Sequence, residues 1–136
     1  MAKRAGRKSI SRVRYAEYQR VAVHFFSAAK DSIELEYWTA AGVLIVYAAI
    51  AYADALSIQQ SGQKSVGESH EDAIALLESV IAASDEKEKA LNQLRRLIEE
   101  KTKVSYLGEL YTPAQTRELW KRLERFRAWA SGILNR

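Results

Sequence analysis

A chain of 136 residues forms one domain, large enough to bury about two thirds of its surface on folding. With no cysteine it has no disulfide, thiolate metal site or cysteine nucleophile, and the composition fits a reducing, cytoplasmic setting. The formal net charge of +4 is segregated: residues 1–14 hold six basic side chains and no acid, residues 112–136 hold six against two, and the middle holds nine against fifteen. Basic ends around an acidic middle point to a polyanion partner, because Lys and Arg clusters release counterions from phosphates. A solvated arm and one exposed helix face produce the same pattern.

Residues 1–14 read as a basic, flexible N-terminal arm lacking the apolar run of a secretory signal, and residues 15–136 as a single helical domain. One proline and six glycines, mostly where helices would stop, make the domain all-α. The first helix is expected from about Ser11 to Leu35, with Tyr15, Tyr18, Val21, Phe25, Ala28 and Ala29 recurring at spacings of three and four. Residues Tyr37 to Leu56 follow, apolar on every side and broken only by Asp54. A helix without a polar face is either a membrane span or the central member of a bundle. Its Ala and Tyr content, the charge of Asp54 and the lack of a flanking Lys/Arg cluster favour the bundle, with no membrane. This helix extends to about Gln60, stops at Ser61-Gly62, and a linker runs from Gln63 to Glu68.

The third helix is expected from Ser69, with Asp72 placed to favour its N-terminus and Ala73, Ile74, Leu77, Val80 and Ile81 as its inner stripe. Ser84-Asp85-Glu86 starts a fourth, with Leu91, Leu94, Leu97, Ile98 and Val104 on one side until Gly108. Thr112-Pro113-Ala114-Gln115 combines an N-cap Thr, Pro at the first helical position and Gln at the third, so a fifth helix starts there, with Leu119, Leu123, Phe126, Ala130 and Ile133 inward. The fold class is therefore an antiparallel bundle of four to five helices.

Chemistry is sparse. The two histidines, His24 and His70, have no carboxylates at metal-site spacing, so neither metal nor cofactor is expected, and His24 reads as a half-buried packing residue. Asp54 needs a partner because an unpaired buried charge is costly, and His70 is the nearest neutral candidate for a structural hydrogen bond. On the fifth helix Arg117, Lys121, Arg122 and Arg125 form a basic stripe away from Leu119 and Leu123. Trp120 and Trp129 flank it, placed to stack on bases or to pack against a partner.

The order of a Tyr15-x-x-Tyr18 entry helix, an Ala-rich helix ending Ala53-Asp54-Ala55-Leu56, then Gly62, Gly67 and His70 before Ala73-Ile74-x-x-Leu77, resembles the HEPN domain (higher eukaryotes and prokaryotes nucleotide-binding). Lys103-Val104-Ser105-Tyr106-Leu107-Gly108 and the capped helix carrying Leu119, Leu123, Phe126 and Trp129-Ala130 look like the close of small prokaryotic HEPN-like proteins. The resemblance spans about residues 15–131 and implies a homodimer, often encoded with a minimal nucleotidyltransferase that acts as antitoxin in a toxin–antitoxin or defence pair. It also implies contact with RNA or a nucleotide.

Catalytic HEPN members are metal-independent endoribonucleases that carry an Arg and, four to six residues later, a His. The His exchanges the 2′-hydroxyl proton and the Arg fork stabilises charge building on the phosphate. At the expected place this chain has Lys101 and Tyr106, with Lys103 between them as a further cation. A tyrosine titrating near about 10 is a poor base at neutral pH, and Lys lacks the bidentate fork. Lys64 and His70 match the spacing but precede the third helix. Lys101 shares the stripe of Leu94, Leu97 and Val104, as a snorkelling edge residue or a cleft cation. The expectation is a nucleotide- or RNA-associated binding module with a degenerate ribonuclease motif. The alternatives are an active ribonuclease and a structural protein–protein interaction module.

Overall fold

The structure, a computed structural model, describes residues 6–66, 71–101 and 110–136. Among them the order is β1 (Arg7–Ser9), a 3-10 turn (Arg12–Arg14), α1 (Tyr15–Glu34), α2 (Trp38–Ser61), β2 (Gln63–Ser65), α3 (Glu71–Val80), α4 (Asp85–Glu99) and α5 (Pro113–Leu134). It is an all-α bundle with one short antiparallel ladder, in which Arg7 pairs with Ser65 and Ser9 with Gln63.

Apolar on all sides, α2 must be covered on all sides, and each of the other helices closes its own apolar stripe by packing on it. Of the most apolar eighteen-residue window of α2, 72% lies inside the protein, which fits the core helix of a water-soluble fold. Small residues make this possible: Ala22 and Ala29 of α1 and Ala41, Ala48, Ala49 and Ala55 of α2 are fully buried, allowing close approach of the helices. The enclosure is incomplete along one line. Val43, Tyr47, Ile50 and Asp54, spaced four, three and four apart, stay partly exposed. Phe25 of α1 borders that line at Tyr47, with ring centroids 6.1 Å apart.

Side-chain bridges fix the helix directions. Thr116 donates to the Trp38 carbonyl at 3.1 Å, Arg127 to the Tyr52 hydroxyl at 3.2 Å, and Gln59 to the Leu134 carbonyl at 2.9 Å. These rungs climb both chains in the same order, so α2 and α5 run parallel. Contacts of Phe26 with Trp120 and of Arg122 with Gln93 place α5 between α1 and α4.

The helix ends follow local chemistry. Thr112 and Gln115 form the full capping box at Pro113, as the sequence predicts, and Ser84 caps α4 by accepting from the Lys87 amide at 2.9 Å. Gly62 closes α2 in the left-handed conformation at φ 70°. The end of α1 is unexpected. Tyr37 N–H bonds the Ser32 carbonyl and Glu36 N–H the Ile33 carbonyl, a Schellman turn with Glu36 at φ 62° where glycine is usual.

Several expectations need correction. The arm is built into the fold from Gly6 onward: Ile10 is buried and donates to the Gly62 carbonyl, and Arg7 forks onto Asp72 at 2.9–3.1 Å. The linker begins as β2, because the arm supplies a partner strand, which period-based reading of either segment alone does not reveal. Helix α1 starts at Tyr15, after the 3-10 turn, and buries Ala22, leaving Val21 exposed. The expected starts and ends at Ser69, Val104 and Gly108 lie outside the described residues.

Replacing Glu36 by glycine is expected to raise stability by about 1 kcal/mol, read from urea melts, because a side chain in the left-handed region costs about that much. Gly42→Ala should do the reverse. A Cβ there collides with the Tyr111 ring, which is held by Tyr111 Oη to Glu100 and Tyr111 N to Thr39, both at 2.9 Å. Overpacking of this kind costs about 1–3 kcal/mol, and an unchanged urea midpoint would show that the ring moves freely.

Candidate functional site

Burial leaves a carboxylate nearly enclosed near the end of α2. Asp54 sits one turn from the end of the most buried part of α2 and has little access to bulk water, its side chain being 13% exposed. The Lys64 ammonium on β2 lies 3.6 Å from its carboxylate and 5.9 Å from the centre of the Tyr18 ring. Desolvation pushes the Asp54 pKa up from its ordinary 3.8 to about 6, against the pull of Lys64 through charge and hydrogen bonding. Its expected partner, His70, lies outside the described residues. Lys64, a candidate for phosphate chemistry, is here the counter-ion of a nearly buried carboxylate.

A second polar arrangement covers the outside of α5. Arg117, Lys121 and Arg125 recur at i, i+4 and i+8, all exposed, and none makes an ion pair among the described residues. Arg117 lies with its guanidinium 4.8 Å from the centre of the Trp38 ring. Arg122, the fourth predicted member, differs: it is tied to Glu118 at 3.3 Å and to Gln93 at 3.1 Å, and so braces α5 against α4.

The flanking tryptophans have separate roles. Trp120 stacks on Phe26 of α1 at 4.7 Å and is packing. Trp129 makes a tilted ring contact with core Phe126 at 5.9 Å, on the opposite flank toward α4. Arg127, which sequence reading passed over, covers Phe26 at 4.2 Å and bonds the Tyr52 hydroxyl. Its placement opposite Arg122 around the helix was the available signal. Lys87 was also missed. It is buried against the end of α3, where its ammonium donates to the Glu78 and Ile81 carbonyls, both at 3.1 Å, capping that helix.

The remaining candidates are dispersed. Lys101 is half-buried just beyond α4, His24 is exposed on α1 rather than packed, and Lys103 and Tyr106 lie outside the described residues. Among the described residues no three His, Asp or Glu side chains converge on one point. Neither a family model, nor a curated protein, nor a solved structure matches the chain. The likeness to HEPN domains therefore rests on the residues quoted above.

The pKa of Asp54 gives a signed test. Between pH 4 and 7 the folded protein holds this proton more tightly than the unfolded chain, so stability falls as pH rises through about 6. The span from 3.8 to about 6 corresponds to about 3 kcal/mol. Asp54→Asn should lack that slope in urea melts taken at pH 4, 5.5 and 7. Lys64→Met should destabilise more at pH 8, where Asp54 is charged and unpaired, than at pH 5.

Proposed function

We propose that the chain is a cytoplasmic nucleic-acid-binding helical module of HEPN type, acting through phosphate contact rather than bond cleavage. One observation carries this reading: Arg117, Lys121 and Arg125 form an exposed row without carboxylate partners among the described residues. Like charges at i, i+4 on a helix are mutually destabilising by a few tenths of a kcal/mol per pair. No ion pair among the described residues offsets that repulsion, whereas a phosphate backbone does, and successive members are separated by about 6 Å along the axis. The basic side chains are not uniformly free. Arg7, Arg122 and Lys64 are each committed to a carboxylate, whereas the three cations of the row are unpaired among the described residues and aligned on one helix face.

The HEPN likeness adds a homodimer to this reading, and the partly exposed Val43, Tyr47 and Ile50 supply apolar surface that suits a second copy. A nucleotidyltransferase-type antitoxin remains part of the same proposal, from the family likeness alone.

Binding of labelled single-stranded RNA in chelator, measured across salt concentrations, tests the reading. The triple variant Arg117→Ala, Lys121→Ala, Arg125→Ala should bind weakly, with a log–log salt slope shallower by about 2, since each phosphate contact on a single strand contributes about 0.7. A slope and affinity equal to those of the unaltered protein would refute the assignment. Cleavage of the RNA, abolished by Lys101→Ala, would replace it with the ribonuclease alternative.

A further inference from the structure

Two grooves meet at Trp129. One, of about 590 Å³, lies between α4 and α5 and is bordered by Lys89, Gln93 and Arg125. The other, of about 700 Å³, continues past the turn between α3 and α4 toward Gly132 and Arg136. Both include Glu86, Ala128 and Trp129, so they form one trough with an indole at its midpoint. Its walls beyond the indole are low: Ala82 and Ala83 on the turn, and Gly132 on α5, where a Cβ would meet nothing within 4 Å.

We propose that this trough is a stacking subsite for one base of a single-stranded nucleic acid, with the Trp129 indole as its platform. The inference rests on the nucleic-acid reading above and gives it a substrate class. Two features select this occupant. Trp38 is covered by Arg117 and Trp120 by Phe26, whereas Trp129 has no stacked partner among the described residues. Lys89 and Arg125 border the α4 side, where the backbone of a bound strand would lie, and Arg125 is also the last member of the free cationic row. A duplex keeps its bases stacked on each other and cannot place one on an indole, so the subsite discriminates strandedness.

The test compares a ten-nucleotide single strand with a duplex of equal length, using the full chain in chelator. Trp129→Leu should weaken single-strand binding roughly 5- to 150-fold, the range for one base–aromatic stack, and leave duplex binding unchanged. Gly132→Leu guards against a folding artefact: it narrows the trough beside Trp129 while keeping the indole, is expected to melt no lower than the parent, and should weaken single-strand binding as well. Full single-strand affinity in both variants, with Lys121→Glu still impairing it, would overturn the subsite and leave the cationic row standing. Trp129→Leu changing only self-association would overturn it in favour of a protein contact. If the parent protein binds neither strand nor duplex, both proposals fall.

Discussion

A helix that offers water no acceptable face has to be enclosed, and that requirement organises this molecule. With alanines on much of its circumference, α2 lets α1 pack closely, and its larger side chains, Ile45, Tyr52 and Leu56, fill the spaces between the other helices. Burying large aliphatic side chains is worth about 1.5–3 kcal/mol each, which is the main driving force available to a chain without disulfides or bound metal ligands of cysteine type. The other elements are amphipathic and accept positions dictated by α2. Even the basic arm is recruited, with Ile10 buried next to the glycine that ends the central helix.

Enclosure by apolar packing also sorts the charged residues into two populations. Some are structural: Arg7 holds the arm to α3, Lys87 ends α3, Arg122 braces α5 on α4, and Arg127 reaches across Phe26 to Tyr52. Others have no such duty among the described residues, and three of them, Arg117, Lys121 and Arg125, recur on the outward side of α5. A net charge alone does not separate these populations, because both contribute equally to it. Only the geometry distinguishes a guanidinium engaged in bracing the fold from one that faces solvent with no carboxylate beside it.

Much of the fold was legible because its signals are local. The capping box at Thr112, the glycine stop at Gly62 and the inward set Leu119, Leu123, Phe126, Ala130 and Ile133 follow from short-range chemistry, and all are realised. What escaped depends on segments far apart in the chain. The ladder joins residues 7–9 to 63–65, and neither strand has a pattern of its own. The choice of Lys64 for Asp54 follows from that ladder, which carries the ammonium to the end of α2. The parallel pairing of α2 with α5 likewise depends on chain routing rather than on either helix's periodicity. At the candidate site the basic stripe was visible, but its division into three free cations and one brace was not, since Gln93 and Glu118 decide it from the neighbouring geometry. Nor did spacing distinguish Trp120, pressed on Phe26, from Trp129 at the groove.

The position of Arg117 over Trp38 couples the outermost cation to the first residue of the innermost helix. An anion that draws this guanidinium off the indole changes the electric field at a partly buried chromophore. Occupancy of the outer face then becomes readable as a shift in intrinsic emission, with no label attached, and Trp38→Phe identifies which of the three indoles carries the signal.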